Sequence, residues 1–377
     1  MSFLRSDLAQ LQAYVSHPGG PTKTPVDILD TNESPYDLPV DLKKTLAEHY
    51  QNQIATNRYP DGGHGPLKER IAAYVNRSGG LQGEIQAAQI SVGNGSDELI
   101  RSLLIATCLG GEGSILVADP TFSMYRILAQ TLGVAAVAIT RKPDDFSWDL
   151  AAAQAMIDKP EGPPVRVVFV VHPNSPTGQC LTPQEIAWLQ SLPADILVVV
   201  DEAYFEFSQK TLVAEVLQRP NWVILRTFSK AFRLAALRVG YAIGSSAVIE
   251  ALEKVRLPYN LPGFSQAAAQ LALDHGDHLL ATLSETRQER DSLYQALGQL
   301  PNFRVWPSEA NFLYGRLEPW GAPQDHHLGA IVESLKEQGT LIRHTGGGLR
   351  ISVGTPAENQ RLLDRLADYL RSLPEHP

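Results

Sequence analysis

The fold is decided by the stretch VRVVFVVHPNSPTG, residues 165–178, and by two similar stretches after it, ILVVVDEAY at 196–204 and VILRTFSK at 223–230. Each begins with an apolar run that shows little polar alternation, which is typical of a strand covered on both faces. Each run ends in polar residues. Further apolar runs alternate with longer helical stretches, so the pattern predicts an α/β fold with a mostly parallel, doubly wound sheet flanked by helices.

Seven strands are predicted for this sheet, at 89–92, 114–118, 135–139, 165–171, 196–200, 223–226 and 240–243. Helices are predicted at 4–15, 40–56 and 66–76, and helical pattern dominates from 262 to about 300. The C-terminal part predicts further strands at 304–306, 312–315, 340–342 and 349–353, and a last helix at 358–373. We therefore expect an N-terminal arm (1–40) that packs with the small domain, a large domain (41–262) and a small α+β domain (263–377).

The overall composition excludes several classes of protein. The 377 residues carry a net charge of −9, which disfavours binding to nucleic acid or to an anionic membrane surface. No apolar run approaches the roughly 20 residues of a membrane span, and the first residues lack the apolar core of a signal peptide. Two cysteines and ten scattered histidines predict neither a disulfide framework nor a metal site, and a cytoplasmic location is expected.

A loop rich in glycine, SVGNGSDEL at residues 91–99, lies between a predicted strand and an apolar helix. The first N–H groups of a helix point outward at the positive end of its dipole, so this junction predicts a phosphate site at Ser96 and Asp97. The same residues are also good helix N-caps, and that interpretation stays open at this point. A dinucleotide fingerprint is excluded, because Glu98 stands where the third glycine would be.

Three further segments place polar side chains directly after strands: Asn174, then Asp201 with Tyr204, then Lys230. Ligands of open α/β sheets bind at the carboxyl ends of the strands, so we expect these side chains to converge in one crevice. Each segment alone also fits an ordinary turn, a capping residue or a surface lysine. Phosphate donors lie close to Lys230 in the chain, at Ser229 and Arg238.

Together these segments supply an amine, a carboxylate, a phenol, an amide and several phosphate donors, which is the set of groups that holds pyridoxal 5'-phosphate (PLP). The amine of Lys230 would attach the cofactor covalently, and a lysine beside an apolar run loses its proton more easily. The carboxylate would keep the pyridine nitrogen protonated. The phenol and the amide would contact the phenolate oxygen of the ring.

At these residues the chain resembles the fold-type-I PLP-dependent aminotransferases, and among them most closely the histidinol-phosphate aminotransferases of histidine biosynthesis. The resemblance runs nearly from end to end. It is carried, in the order typical of the family, by TNESPY at 31–36, RYPD at 58–61, GSDE at 95–98, HPNSPTG at 172–178, DEAY at 201–204, TFSKAF at 227–232, LRVGY at 237–241 and LRISVGT at 349–355.

The resemblance implies a role for each matching residue around the cofactor. Lys230 carries the cofactor and moves the substrate's proton, and Asp201 pairs with the pyridine nitrogen. Tyr204 and Asn174 contact the phenolate oxygen, and Tyr125 stacks on the ring. The cofactor phosphate is held by Ser96, Asp97, Thr227, Ser229 and Arg238.

The resemblance also implies the substrate contacts. Arg350 binds the substrate carboxylate, Arg343 helps with the substrate phosphate or the distal carboxylate of glutamate, and Asn32 lies at the pocket. Tyr59 reaches the phosphate from the partner subunit of a homodimer. The residues themselves also favour an anion-binding role for Arg343 and Arg350, because they flank a glycine turn and arginine binds carboxylate and phosphate bidentately. Without the family resemblance, either arginine could be a solvated charge at a strand end.

The implied reaction is a two-step transamination in which L-glutamate and imidazole-acetol phosphate give 2-oxoglutarate and L-histidinol phosphate. An aromatic amino acid aminotransferase and a threonine-phosphate decarboxylase would share the fold and remain alternatives. A non-catalytic PLP-binding regulator is a different class of protein. The presence of Lys230, Asp201 and Arg350 together disfavours it.

Overall fold

The structure is a computed structural model that describes residues 3, 5, 6, 26–318 and 324–372. Of the helix predicted at 4–15, all but Arg5 and Ser6 lies outside the described residues. Within these ranges, no helix combines the length and the apolar character that a bilayer span requires.

The described residues form three sheets. Their strands are β1 (Asp27–Ile28), β2 (Ile90–Asn94), β3 (Ser114–Asp119), β4 (Ala135–Thr140), β5 (Val165–Val171), β6 (Leu197–Asp201), β7 (Trp222–Thr227), β8 (Val239–Gly244), β9 (Phe303–Trp306), β10 (Phe312–Leu317), β11 (Thr340–Leu341), β12 (Arg343–Thr345) and β13 (Gly348–Ser352).

The described helices surround these sheets. They are α1 (Val40–Gln53), α2 (Gly65–Ser78), α3 (Ser96–Thr107), α4 (Met124–Leu132), α5 (Leu150–Asp158), α6 (Pro183–Ser191), α7 (Phe205–Ser208), α8 (Glu215–Gln218), α9 (Ser246–Val255), α10 (Gly263–Asp274), α11 (Gly276–Leu280), α12 (Leu283–Leu297), α13 (Gln324–Glu337) and α14 (Pro356–Ser372).

The central sheet has seven strands in the order β2-β8-β7-β6-β5-β3-β4. All neighbours are parallel except β8, which is antiparallel to both β2 and β7. The predicted α/β fold with a mostly parallel sheet is therefore confirmed. Because β8 runs backwards, its first residues lie beside the last residues of β2 and β7, and Arg238 just before it reaches the edge of the sheet where those strands end.

The sheet lies between two hydrophobic cores because its strands are apolar on both faces. On β5, Val168 and Val170 belong to one buried cluster, whereas Val167 and Phe169 belong to the other. Helices α2 and α10 cover the first cluster, and α3, α4 and α9 cover the second. This double burial explains why the strand sequences lack the polar alternation of a half-exposed sheet.

The C-terminal part contains a four-stranded antiparallel sheet in the order β12-β13-β10-β9. Helices α12, α13 and α14 pack against it around a separate core. Residues 27–29 join this unit: β1 pairs in parallel with β11, and Leu29 is part of the same core. Asp27 accepts hydrogen bonds from Arg361 and Arg365 of α14, which fixes the strand there.

Two features bear on the sequence expectations. The strand predicted at 340–342 ends at Leu341, and residues 343–345 form β12, which is too short and polar to show a pattern. Helices α10 and α11 contribute Ala268, Ala272 and Leu279 to the core of the large sheet. Residues beyond the predicted boundary at 262 therefore pack on the large sheet, and the boundary itself stays a prediction.

Candidate active site

A cavity of about 260 Å³ lies at the carboxyl ends of β2, β5, β6 and β7, where they face the C-terminal sheet. Of the predicted site residues, its wall contains Asn32, Ser96, Asp97, Asp201, Tyr204, Thr227, Ser229, Lys230, Arg238 and Arg350. The wall also contains residues that were not predicted, namely Thr31, Glu33, Phe122, Val171, Ser175, Ala203 and Ala235. Four predicted residues lie elsewhere, namely Tyr59, Tyr125, Asn174 and Arg343.

One end of the cavity is a cluster of loosely engaged hydrogen-bond donors. No side chain caps α3, so its first N–H groups remain available near Ser96. Arg238 makes long hydrogen bonds here, 3.3 Å to the carbonyl oxygen of Ala235, 3.4 Å to Asp97 Oδ2 and 3.5 Å to Ser229 Oγ. The hydroxyl oxygens of Thr227 and Ser229 lie 3.0 Å apart. This arrangement suits an oxyanion such as a phosphate group.

Glycine is required at two points of this cluster. Gly95 has a φ of +77°, and a Cβ on it would lie 2.5 Å from Arg238 Nη2. A Cβ on Gly240 of β8 would lie 2.6 Å from the backbone nitrogen of Ser96. A side chain at Gly240 would therefore push the start of α3 away from β8, whereas one at Gly95 would displace the guanidinium of Arg238 and strain the backbone.

Asp201 at the end of β6 is buried and well fixed. Its Oδ2 accepts a hydrogen bond from the Tyr125 hydroxyl at 2.8 Å, and its Oδ1 accepts one from the Ala203 N–H at 3.0 Å. Burial raises the pKa of Asp201 to about 6, although these two hydrogen bonds act in the opposite direction. A carboxylate held in this way is suited to bind a cationic N–H group that enters the cavity.

The structure argues against the expected stacking role of Tyr125. Tyr125 is fully buried at the start of α4, stacks on Phe169 at 4.5 Å, and does not line the cavity. Phe122, three residues earlier, lines the cavity and meets Tyr125 edge to face. Tyr125 therefore supports Asp201 from behind, and Phe122 is the aromatic side chain that a planar ligand would contact.

Lys230 lies in the cavity, and its amine is hydrogen-bonded to the backbone of the N-terminal segment. Its Nζ donates a hydrogen bond to the carbonyl oxygen of Thr31 at 2.8 Å. Burial lowers the pKa of Lys230 to about 8, and the positive charges of Arg350 and Arg238 contribute to this. A much larger fraction of the amine is therefore neutral near neutral pH than in an exposed lysine, as a nucleophile or a base requires.

Tyr204 and Asn32 connect the large domain to the N-terminal segment. Asn32 Nδ2 donates to the Tyr204 hydroxyl at 2.9 Å, while the Ser352 hydroxyl donates to Asn32 Oδ1 at 3.1 Å. Burial raises the pKa of Tyr204, and nearby Arg350 opposes this. Asn32 has a φ of +55°, a left-handed conformation that asparagine tolerates better than most residues. These contacts bring residue 32 into the wall although it lies far from the others in sequence.

Arg350 on β13 is the cation that the C-terminal sheet contributes to the cavity. It donates to the carbonyl oxygen of Asp30 at 2.6 Å and to Ser175 Oγ at 3.3 Å. Arg343 is its direct cross-strand neighbour on β12, so both side chains lie on the same face of the sheet. Arg343 itself does not line the cavity, and its contact with a substrate stays a prediction.

Asn174 lies directly behind the cavity wall, whereas its neighbour Ser175 lines the cavity. Its Nδ2 donates to the carbonyl oxygen of Pro120 at 3.1 Å and to Thr177 Oγ1 at 2.7 Å. Its Oδ1 accepts from Thr121 at 3.0 Å and from the buried Arg141 at 3.1 Å. Both amide hydrogens are thus engaged, and a contact between Asn174 and a ring oxygen stays a prediction.

Tyr59 lies on the surface, outside the cavity. It is 80% exposed and stacks on Tyr259 with ring centroids 4.5 Å apart. Tyr259 is exposed as well, so the two stacked rings present an apolar surface to solvent. An aromatic side chain held rigidly in such a surface is typical of a protein interface.

Sequence reasoning missed several wall residues for identifiable reasons. Three of them lie inside sequence motifs that carry the family resemblance, namely Thr31, Glu33 and Ser175. Their position in these motifs could have identified them. The segment after β3 contains two aromatic residues, Phe122 and Tyr125, and the sequence does not show which of them faces the cavity. Arg141, which is not a wall residue but binds Asn174 behind the wall, shows no local signal, because a single arginine after a strand is indistinguishable from a surface charge until its burial is known.

The chain matches known proteins over almost its whole length. The family model described as "Aminotransferase class I and II" matches residues 25–366. Histidinol-phosphate aminotransferase of Trichodesmium erythraeum is 59% identical, over 97% of this chain and 98% of that protein. Histidinol-phosphate aminotransferase 2 of Nostoc sp. is 58% identical, over 98% of each.

A solved structure shares the fold at much lower sequence identity. The crystal structure of histidinol-phosphate aminotransferase from Sinorhizobium meliloti in complex with pyridoxal-5'-phosphate covers 99% of both chains with a TM-score of 0.84 and 22% identity. At that identity the likeness shows the fold, and the family follows from the sequence matches. The chain therefore belongs to the class I and II aminotransferases, and within them to the histidinol-phosphate aminotransferases.

Proposed function

We propose that the protein is a PLP-dependent transaminase that converts imidazole-acetol phosphate and L-glutamate into L-histidinol phosphate and 2-oxoglutarate. The observation that carries the proposal is the environment of Lys230. Its amine, with a pKa lowered to about 8, shares one cavity with the buried carboxylate of Asp201 and with an oxyanion cluster. A nucleophilic amine, a partner for a pyridinium and a phosphate site are the three features that PLP requires.

The cluster of donors at the start of α3 fits the cofactor phosphate. Arg238, Thr227, Ser229 and the first N–H groups of α3 offer hydrogen bonds that the protein itself satisfies only weakly. Asp97 Oδ1 is buried and has no hydrogen-bond partner among the described residues. A phosphate here would draw Arg238 away from its long contact with Asp97 and give the guanidinium shorter hydrogen bonds.

Asp201 and Phe122 fit the pyridine ring. The Asp201 carboxylate would hold the ring nitrogen in its protonated form, and Phe122 would lie against the ring. When bound, PLP withdraws electrons from the α-carbon of the amino substrate, so the proton on that carbon becomes acidic enough to be removed. Tyr125 keeps the carboxylate oriented throughout.

Lys230 is positioned to move that proton. Its amine is held by the carbonyl oxygen of Thr31, which only accepts, so the nitrogen lone pair is not consumed by this contact. The lowered pKa allows the amine to take up a proton and to release it again near neutral pH. Arg350 would bind the α-carboxylate of glutamate, and Arg343 beside it would meet a second anionic group.

We propose that the active unit is a homodimer in which Tyr59 reaches the cofactor phosphate of the partner subunit. The exposed stack of Tyr59 on Tyr259, outside its own cavity, supports this arrangement. Mass measurement in solution tests the dimer, and Tyr59→Phe tests the contact through a weaker hold on the cofactor. We also propose a cytoplasmic location, which the absence of a spanning helix in the described ranges and the two free cysteines allow.

Steady-state kinetics test the substrate assignment. We expect kcat/KM for histidinol phosphate to exceed by at least about tenfold the values for phenylalanine, tyrosine and threonine phosphate, because only the first offers both an imidazole ring and a phosphate. An equal or higher value for an aromatic amino acid would overturn the assignment and leave the transaminase intact. Release of carbon dioxide from threonine phosphate would point to the decarboxylase instead.

A further inference from the structure

The cavity wall carries three cationic side chains, Lys230, Arg238 and Arg350. Two of them answer anionic groups of the proposed ligands: Arg238 the cofactor phosphate, and Arg350 the α-carboxylate of glutamate. The imidazole ring of the substrate differs from these anionic groups, because its N–H groups donate hydrogen bonds and the ring is cationic when protonated. It therefore needs an acceptor on the wall.

Three carboxylates also line the cavity, and only one of them is unengaged. Asp97 accepts from Arg238, and Asp201 accepts from Tyr125 and Ala203. Glu33 forms no hydrogen bond and no ion pair with any part of the chain that the structure describes. Its side chain is exposed at the cavity wall.

The backbone on either side of Glu33 is held close to the reacting lysine. Two residues earlier, the carbonyl oxygen of Thr31 binds Lys230 Nζ at 2.8 Å. The preceding residue, Asn32, is bonded through its side chain to the hydroxyl groups of Tyr204 and Ser352. The negative charge of Glu33 is near enough to raise the pKa of Lys230 against the effect of burial. The backbone that carries this carboxylate is thus fixed beside the part of the cavity that Lys230 and Arg350 share.

We infer that Glu33 is a specificity-determining residue whose carboxylate accepts a hydrogen bond from an imidazole N–H of the substrate. This inference rests on the proposed function. A phenyl ring offers no N–H, so an aromatic amino acid in the same position would desolvate Glu33 without replacing its hydrogen bonds to water. The side-chain carboxylate of glutamate would be repelled by it. Glu33 therefore favours binding of histidinol phosphate and disfavours binding of glutamate.

Substitution Glu33→Gln tests the inference by equilibrium inhibition. The probes are the deamino analogue of histidinol phosphate, which keeps the ring and the phosphate but cannot react, and 3-phenylpropyl phosphate. We expect the inhibition constant of the first to rise about 5- to 10-fold, because glutamine keeps an acceptor oxygen but loses the charge that strengthens the hydrogen bond, and that of the second to change less than about threefold. In kinetics, kcat/KM should fall for histidinol phosphate and stay equal or rise for glutamate.

Two further variants serve as controls. Glu33→Asp keeps the charge and should retain part of the preference for the imidazole probe. Glu112→Gln makes the same chemical change at an exposed glutamate outside the cavity and should change neither constant. An equal loss for both probes in Glu33→Gln, or no loss for either, overturns the inference. Failure of the wild type to turn over histidinol phosphate would instead overturn the proposed function.

Discussion

Replacing Asp201 with asparagine is expected to stabilise the cofactor-free protein and at the same time to remove most of its activity. Asp201 is fully buried, and without a bound cation its negative charge has only two hydrogen bonds to compensate the loss of water. Asparagine has nearly the same shape. Its Oδ1 can accept from the Ala203 N–H, and its amide can donate to the Tyr125 hydroxyl, which both donates and accepts.

The size of the effect follows from the pKa of Asp201. Burial raises this pKa from 3.8 to about 6, and a rise of about 2 corresponds to about 3 kcal/mol. Between those pH values the folded chain holds a proton that the unfolded chain has lost, so stability of the wild type decreases as the pH rises through this window. The gain from Asp201→Asn should therefore reach about 2–3 kcal/mol at pH 8 and about half of that at pH 5.

The adjacent acid provides a matched control with the opposite expected sign. Glu202 is also buried, but it forms an ion pair with Arg226 at 2.9 Å and accepts from the Leu212 N–H at 2.7 Å. Glu202→Gln leaves the guanidinium of Arg226 buried without its partner. This should lower the free energy of unfolding by about 3–5 kcal/mol.

Urea unfolding of the cofactor-free protein at pH 5 and pH 8, at one protein concentration, measures both effects. Turnover of the cofactor-loaded Asp201→Asn variant should fall by at least about 100-fold, because asparagine cannot hold the ring nitrogen in its protonated form. The reasoning is refuted if Asp201→Asn is less stable than wild type at pH 8, or if its gain in stability does not depend on pH.

The other predictions concern the lysine, the carboxylate site and the phosphate cluster. Lys230→Ala should abolish formation of 2-oxoglutarate from glutamate, and retained turnover would contradict the role of the lysine. In the cofactor-free wild type, the rate of chemical modification of the Lys230 amine should rise with a midpoint near pH 8, since burial lowers its pKa. A midpoint above 10 would contradict this. Arg350→Lys should raise KM for glutamate by about tenfold or more and leave cofactor affinity unchanged, because lysine cannot bind a carboxylate bidentately; parallel losses of both would indicate a structural defect. Gly95→Ala should weaken cofactor binding in equilibrium dialysis, since its Cβ would meet Arg238, whereas Gly162→Ala, where the Cβ meets open space, should not.

The large domain was predictable from the sequence because its signals are local. Apolar runs at β5, β6 and β7 are long enough to indicate buried strands, and each ends in a polar group, Asn174, Asp201 or Thr227, at the same edge of the sheet. The short strands β1 and β12 were not predictable. Two or three residues carry no periodicity, and only pairing with distant segments makes them strands.

The same difference between local and long-range signals applies to the residues of the site. The sequence by itself placed Lys230 and Asp201 at one edge, since each follows a strand of the predicted parallel sheet. The tertiary structure brought Arg238 to that edge, because β8 is antiparallel to its neighbours. The tertiary structure decided that Phe122, not Tyr125, faces the cavity, because the packing of α4 turns Tyr125 inward onto Asp201. It also decided that Glu33 is the unengaged acid of the wall. Such roles depend on burial and on which partners surround a side chain, and these are set by contacts between residues far apart in the chain.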